Sequence, residues 1–242
     1  MLSVTVDPSR ALSRRLVAEA IGTCLLVAAV VGSGIMGEQL AGGNVAIALL
    51  ANTLATGAAL IALILTFGPV SGAHFNPAVS VADASQGGLS WKDASLYSLA
   101  QILGAIGGAG LANVMFGLAP YTWSSHIRSG PAQVLSEGVA TFGLLAVIWG
   151  CSRRRSAEAV PYAVAAYIAA AYWFTASTSF ANPAVTLARS LTDTFAGIRP
   201  QDVPAFWFAQ AVGTASATLL CRWLIPGRVT VQDARSDEVR IV

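Results

Sequence analysis

The chain has 242 residues, of which 55% are hydrophobic and only 11% charged, with a formal net charge of +2. Soluble globular chains carry about 25% charged residues, so this composition is typical of a membrane protein. The small net charge excludes a basic nucleic-acid-binding protein, because phosphate recognition needs a concentrated positive surface. Three widely separated cysteines, Cys24, Cys151 and Cys221, indicate neither a disulfide framework nor a metal site, and no cofactor is expected.

Runs of residues without Asp, Glu, Lys or Arg define the predicted elements. A helix needs about 20 apolar residues to cross a bilayer. Two runs, 39–82 and 159–188, are too long for one helix, so each predicts a full span and a shorter segment that enters the membrane and turns back. Such re-entrant backbone is tolerated only against protein or a water-filled cavity, which predicts a lumen. In chain order, the predicted full spans are 12–35, 45–68, 94–117, 132–151, 159–179 and 203–225, and the half-spans are 76–85 and 182–191.

Basic residues flank these spans unevenly. With six spans, eleven of the 14 arginines and lysines fall on one side, and only Arg128, Arg189 and Arg199 fall on the other. Loops on the cytoplasmic side carry the excess of positive charge. The sequence therefore predicts a multi-pass protein of the cell (inner) membrane with both termini in the cytoplasm, and with cytoplasmic tails at 1–11 and 226–242.

The two halves of the chain repeat one another in the same order of motifs. The matches are Glu-x-x-x-Thr at 19–23 and 137–141, Asn-Pro-Ala-Val-Ser/Thr at 76–80 and 182–186, and Ala-Gln-x-x-Gly at 100–104 and 209–213. Because each half holds three spans, the second copy enters the membrane from the opposite face. The pattern predicts an inverted repeat whose functional site lies near the midplane, where the copies meet.

Each Asn-Pro-Ala box predicts a helix that starts inside the membrane. Asparagine is a favoured N-cap, and proline is favoured at the first helical position. Two half-helices would then meet end to end, and their positive N-termini would form a barrier to cations and protons. The asparagine side-chain N–H groups are expected to bond the oxygen of a passing solute. The residues of the two boxes are Asn76, Pro77, Ala78, Asn182, Pro183 and Ala184.

With these twin boxes and the paired Glu and Gln residues, the chain resembles the aquaporin, or major intrinsic protein, family over roughly residues 12–225. The resemblance implies an all-α membrane fold of six transmembrane helices plus two re-entrant half-helices. It implies one channel domain over 1–242, with repeats at about 12–118 and 131–225. It also implies a passive channel rather than an enzyme, for water or small neutral solutes, assembled in the lipid bilayer as a homotetramer with one pore per subunit.

Four polar residues are expected to support the irregular loops that precede the boxes. Glu19 and Glu137 lie at the start of predicted spans, where an ionisable side chain is costly and by default functional. They are either membrane-edge residues or buried acceptors for loop N–H groups, and the resemblance implies the second role. Gln101 and Gln210 are expected to cross-link helices in the same way.

The narrowest part of the pore is expected to determine which solutes can pass. Most members of the family place an arginine directly after the second box, where this chain has Val185. Counting from the boxes without gaps places Thr56, Ala170 and Ser179 at the other narrowing positions. All four side chains are small and uncharged, so we expect a constriction that is wider and less polar than in a water-selective relative.

Two further residues are expected beside the pore. Arg189 lies four residues beyond Val185 on the same helix face and leans back towards it. It either partly refills the vacated position or lies at the outer mouth or an interface. His74, two residues before Asn76, is a structural residue or a pore residue, and the resemblance implies that its backbone carbonyl faces the water file.

An uncharged, wide filter is typical of a channel for neutral solutes broader than water. Metalloid acids such as arsenous acid, glycerol and urea fit this description, with some water flux. The pattern of a valine directly after the second box and an arginine four residues later resembles that of a divergent bacterial branch of the family, which is associated with arsenic resistance. An ordinary water channel or glycerol facilitator is the alternative. A coupled secondary transporter is less favoured, because only Glu19 and Glu137 offer ionisable groups for coupling.

Overall fold

The computed structural model describes residues 11–153 and 157–225, so the predicted tails, apart from Ala11, lie outside the described residues. In this part of the chain every regular element is a helix, as the sequence predicts. The α-helices are α1 Leu12–Leu40, α2 Val45–Ser71, α3 Pro77–Ser85, α4 Trp91–Met115, α5 Pro131–Ser152, α6 Val160–Phe174, α7 Pro183–Arg189 and α8 Val203–Leu224. Short 3₁₀ turns, Ala157–Ala159 and Pro200–Asp202, precede α6 and α8.

The helix lengths agree with a membrane-spanning bundle. Five segments, which contain α1, α2, α4, α5 and α8, are long and apolar enough to cross a membrane. Helix α6 is shorter, with 15 residues, and it ends at Phe174 rather than near 179. The predicted end was wrong because Thr175 has an extended backbone, with φ −109° and ψ 138°, and Thr178 and Ser179 adopt positive φ, which an α-helix cannot contain.

The two half-helices start as the chemistry of the boxes dictates. The side-chain oxygen of Asn76 accepts a hydrogen bond from the backbone N–H of Ala78 at 2.9 Å. Asn182 accepts from the N–H groups of Ala184 at 3.0 Å and Val185 at 3.2 Å. Each asparagine thus caps a helix whose first residue is proline, and α3 and α7 have nine and seven residues. Both helices are therefore too short to cross a bilayer.

The bundle is held together by close helix crossings that recur in both halves. Helix α1 packs against α2 and α4, α5 packs against α6 and α8, and the contact of α2 with α6 joins the halves. A Cβ atom on Gly104 of α4 would lie 2.2 Å from the carbonyl oxygen of Ala20. One on Gly213 of α8 would lie 2.5 Å from the carbonyl oxygen of Gly138. Glycine at these crossings lets the helix backbones approach each other closely, as is common in membrane proteins. The two half-helices, α3 and α7, each pack against both α4 and α8.

Candidate pore

A cavity of about 600 Å³ runs through the centre of the bundle. It begins beside Arg15 and Asp93, near the first residues of α1 and α4, passes both box asparagines, and ends at Arg189. Its walls between these ends are largely aliphatic. Side chains spaced four residues apart line it from α6 (Val160, Val164, Ile168, Tyr172), α2 (Thr56, Leu60, Ile64), α1 (Leu26, Val30) and α5 (Leu144, Ile148).

The two half-helices are tied to each other where they meet. The side-chain Nδ2 of Asn76 donates to the carbonyl oxygen of Ala181 at 2.7 Å, and that of Asn182 donates to the carbonyl oxygen of Phe75 at 2.8 Å. Each asparagine therefore uses its oxygen as a helix cap and one N–H as a link to the opposite loop. Because an amide carries two N–H donors, one remains on each side chain, and both side chains line the cavity. The sequence indicated two free donors for each asparagine, and the geometry leaves one.

Glu19 holds the loop before the first box. One carboxyl oxygen accepts from the hydroxyl of Ser71 at 2.6 Å and the backbone N–H of His74 at 3.0 Å. The other accepts from the N–H of Phe75 at 2.7 Å and the side-chain amide of Gln101 at 2.8 Å. The Glu19 side chain is fully buried. It accepts hydrogen bonds from backbone N–H groups that no helix satisfies. This role explains why an ionisable side chain, which is costly inside a membrane, is buried here.

Glu137 does the same for the loop before the second box. It accepts from the backbone N–H groups of Phe180, at 3.3 Å, and Ala181, and from the side-chain amide of Gln210 at 3.1 Å. Gln210 also donates to the hydroxyl of Thr186 in α7 at 2.8 Å. The four polar residues singled out from the sequence thus lie in two equivalent clusters, one behind each box.

His74 lies on the side of the cavity that opens towards Arg15. Its Nδ1 is 3.1 Å from the hydroxyl oxygen of Ser80, and its ring packs edge-on against Tyr97 with centroids 5.6 Å apart. At the entrance, Arg15 forms an ion pair with Asp93 at 3.3 Å and donates to the Tyr97 hydroxyl at 2.8 Å. His74 is therefore a cavity-lining residue that is also fixed by its neighbours.

Three of the four predicted filter residues line the cavity, and the fourth does not. Thr56, Ser179 and Val185 are buried against it, whereas Ala170 is exposed and lies outside it. The prediction for Ala170 was wrong because each helical residue turns by about 100°, so side chains two residues apart point to nearly opposite sides. Tyr172 lines the cavity instead, with its hydroxyl 3.3 Å from the hydroxyl of Thr56. The four-residue spacing of apolar residues along α6, which ends at Tyr172, is the signal that identifies it.

Arg189 is buried at the far end of the cavity, with 2% of its surface exposed. Its guanidinium carbon lies 3.4 Å from the centroid of the Phe180 ring, and its Nε donates to the carbonyl oxygen of Ala196. It is therefore not an exposed mouth residue: it lines the cavity, one helical turn beyond Val185 along α7, with its guanidinium packed on Phe180. Phe180, which also lines the cavity, carries no signal in the sequence beyond its position two residues before the box.

Comparisons with known proteins agree with this geometry. The sequence profile of the family described as "Major intrinsic protein" matches residues 8–159. The protein "Aquaglyceroporin AqpS" of Rhizobium meliloti (strain 1021) is 57% identical over 227 residues, which cover 93% of this chain and 97% of that protein. "Aquaporin Z" of Bradyrhizobium diazoefficiens is 29% identical over 227 residues, 87% of this chain and 93% of that protein. The X-ray structure of the aquaglyceroporin from Plasmodium falciparum superposes with a TM-score of 0.61 at 20% identity, over 88% of this chain and 95% of that one, a likeness of fold.

Proposed function

This chain belongs to the major intrinsic protein family and is a membrane channel for water and small solutes, not an enzyme, and we propose that its main permeants are neutral solutes broader than water. Metalloid acids such as arsenous acid rank first, followed by glycerol and urea, and water passes with them. The observation that carries the proposal is Val185. This buried, uncharged side chain lines the cavity directly after the second box, where the family resemblance places an arginine.

The middle of the cavity favours a solute that is neutral and carries oxygen. Among the described residues, the charged side chains that line the cavity are Arg15, Asp83, Asp93 and Arg189. Arg15, Asp83 and Asp93 lie at one end, near the first residues of α1 and α4 and the last residues of α3, and Arg189 lies at the other. An ion in the middle of the cavity would therefore lose its hydration without gaining a counter-ion. The remaining N–H donor of Asn76 and that of Asn182 can each bond an oxygen atom of the solute. Aliphatic side chains fill most of the remaining wall and offer few competing hydrogen bonds.

The narrow region supports a solute with hydroxyl groups on one side. Thr56 and Tyr172 line the cavity with side chains that carry hydroxyl groups, and Val185 contributes an aliphatic surface. Ser179 also lines the cavity, but its hydroxyl oxygen is buried. Tyr172 is bulkier than the alanine that the ungapped count indicated, so the constriction is less wide than the sequence alone suggests. A compact polyol or a hydroxylated metalloid acid matches this combination of hydroxyl groups and aliphatic surface.

The orientation and assembly follow from the distribution of charge and exposed surface. We place the Arg15 end of the cavity in the cytoplasm and the Arg189 end outside the inner membrane, because most basic residues flank the first end. Large apolar side chains such as Leu54, Leu103 and Trp223 are 64%, 61% and 78% exposed. Lipid and, in the homotetramer that the family resemblance implies, neighbouring subunits would cover them.

The test is a solute panel on purified protein in liposomes, with water, glycerol, urea and arsenous acid measured by stopped-flow swelling or uptake. We expect accelerated flux of the larger solutes as well as of water. Water flux without accelerated uptake of any larger solute would establish an ordinary water channel and refute the proposal. Accumulation of a solute against its gradient, driven by protons or sodium, would establish a coupled transporter.

The variant Val185→Arg tests the residue that carries the argument. A long cationic side chain at this position narrows the uncharged region, so we expect the flux of glycerol and arsenous acid to fall more than that of water. Val185→Ile, which keeps an aliphatic side chain, is the matched control and retains most of the flux. Unchanged large-solute flux in Val185→Arg would show that residue 185 does not line the narrow point.

A further inference from the structure

A second cavity lies on the outside of the bundle, between the first half-helix and the last span. It has a volume of about 460 Å³, and its walls are one face of α3, from Pro77 to Ser85, and one face of α8, from Trp207 to Arg222. Among the described residues, none lines both this cavity and the central pore. Val81 and Leu219 on its walls are exposed, so this cavity, here called the lateral groove, opens sideways. Because α8 is long and apolar enough to span a membrane, the opening faces the membrane interior.

The length of the lateral groove matches one leaflet of a bilayer. Its α3 wall starts at Pro77, where the two half-helices meet, and α3 has nine residues. Nine residues rise by about 13 Å, and one leaflet contributes about 15 Å of the hydrocarbon core. Trp207 lies at the deep end, where its indole Nε1 donates to the carbonyl oxygen of Pro183 at 3.0 Å. The groove therefore extends from the middle of the membrane to one surface.

The walls of the lateral groove are mostly hydrocarbon, because their polar side chains are already bonded or buried. The hydroxyl group of Ser85 donates to the carbonyl oxygen of Ala82 at 2.7 Å. That of Thr214 donates to the carbonyl oxygen of Gln210, also at 2.7 Å, and the hydroxyl oxygen of Thr218 is buried. A ligand in the groove thus meets apolar surface along most of its length, which favours an alkyl chain.

The two walls of the groove are held together at both ends. At the surface end, Arg153 donates to the side-chain oxygen of Gln86, which directly follows α3, at 2.9 Å. The same guanidinium donates to the carbonyl oxygens of Cys221 at 2.7 Å and Ile225 at 2.6 Å, at the end of α8. At the deep end, Gln210 of α8 belongs to the polar cluster behind the second box. The groove is therefore preformed, and a ligand does not have to separate the helices.

The surface end of the groove carries a positive charge. Arg222, in the last turn of α8, lines the groove and is exposed, and no acidic residue of the described part of the chain lines it. Arg153, which binds this end of α8, follows Ser152, which lines the central pore at the end beside Arg15. Arg222 therefore lies on the side that we place in the cytoplasm. The cytoplasmic leaflet carries anionic lipids, which attract basic residues near its surface.

We propose that the lateral groove binds one anionic phospholipid, with an acyl chain between α3 and α8 and the phosphate beside Arg222. The volume of about 460 Å³ lies within the range of about 300–1,000 Å³ that is typical of sites for single small molecules. The chain covers the face of α3 that is turned away from the pore, where Val81 is exposed, and so stabilises this half-helix. The site is independent of the proposed permeant, and only the choice of leaflet uses the proposed orientation.

The test is lipid binding by the purified, delipidated full chain in detergent, measured by native mass spectrometry and by melting temperature. The probes are phosphatidylglycerol and phosphatidylcholine with the same acyl chains. We expect one tightly bound phosphatidylglycerol per subunit and a higher melting temperature with this lipid than with phosphatidylcholine. Its affinity should be about fivefold higher, the factor that corresponds to about 1 kcal/mol for one basic residue near the headgroups.

Two variants separate the headgroup contact from the chain contact. Arg222→Gln removes the charge and is expected to bind both lipids equally. Its control is Arg14→Gln, an exposed arginine on the same side but outside the groove, which keeps the preference. Ala215→Phe fills the groove with a ring and is expected to lose the tightly bound lipid of either kind. Ala205→Phe, which changes an exposed alanine of α8 outside the groove, retains it.

The outcomes that overturn the proposal are distinct. Equal binding of the two lipids by the wild type, or the same preference in Arg222→Gln as in Arg14→Gln, refutes the headgroup contact. Unchanged lipid binding by Ala215→Phe refutes the groove as the site. A smaller assembly for Ala215→Phe than for Ala205→Phe in light scattering shows that a second copy of the chain covers the groove instead.

The test remains decisive if one variant or the channel proposal fails. If Ala215→Phe does not fold, the comparison of Arg222→Gln with Arg14→Gln decides. Because no readout uses solute flux, the absence of glycerol or arsenous acid transport would refute the proposed function without affecting the lipid measurement.

Discussion

The substitution Glu19→Gln tests how the pore-forming loop is held in place. The side chain keeps its size, but one of its two acceptor oxygens becomes an N–H₂ donor. In either orientation of the new amide, two of the four groups that now donate to Glu19 lose their acceptor. In one orientation these are the N–H of Phe75 and the amide of Gln101. In the other they are the hydroxyl of Ser71 and the N–H of His74.

The expected loss of stability follows from the number of groups left unpaired. Each buried donor without an acceptor costs about 1–3 kcal/mol, so two of them cost about 2–6 kcal/mol. Because Glu19 is fully buried, water cannot replace the lost acceptor. The loop that carries His74 and Phe75 leads directly into the first box, so we also expect a lower glycerol flux per folded channel.

The assay is the melting temperature of purified protein in detergent, followed by flux in liposomes. Glu38→Gln is the control, because Glu38 lies on the same helix α1 but is exposed. It is expected to melt within the experimental error of the wild type. Equal melting temperatures for Glu19→Gln and Glu38→Gln would refute the argument that Glu19 supports the loop.

Two further predictions concern a helix crossing and an outer loop. Gly104→Ala forces a methyl group against the α1 backbone and is expected to lower the free energy of unfolding by about 1–3 kcal/mol. The control is Gly150→Ala, whose methyl group meets open space and leaves the melting temperature unchanged. Equal melting temperatures for the two variants would contradict the close crossing of α1 and α4. Burial and the nearby arginines, Arg128 and Arg189, lower the pKa of His126 below 6.5. The unfolded state then binds the proton more readily, so the wild type should lose stability relative to His126→Gln as the pH falls below about 6.5. If the melting temperatures of the wild type and His126→Gln change in parallel between about pH 5 and 8, His126 does not contribute to the pH dependence of stability.

Some parts of the pore follow from the sequence because a single physical requirement identifies them. A charge-free run of 44 residues cannot be one helix, and an Asn-Pro pair within it is a helix start. A glutamate in an apolar segment needs hydrogen-bond donors, and the structure places such donors around both Glu19 and Glu137. These inferences depend on the local chain and on the bilayer, and not on how the helices are rotated.

The filter residues depend on that rotation, which is why Ala170 was misassigned. Its position was counted across the loop between α6 and the second box, and the difference of two residues from Tyr172 turns the side chain by about 200°. The periodicity of the helix itself is independent of the loop. Ile168 and Tyr172 share one face, so the apolar stripe of α6 identifies the lining residue where the count from the box does not.

The positions of Val185 and Arg189 bear on where a solute meets positive charge in the proposed pore. With an arginine at 185, the fixed positive charge would belong to the residue directly after the second box. In this chain that residue is Val185, and Arg189 follows it by one helical turn, with its guanidinium packed on Phe180. If residue 185 lines the narrow point, as we propose, a solute meets an aliphatic side chain there instead of a charged one. That arrangement would favour permeants that are broader than water.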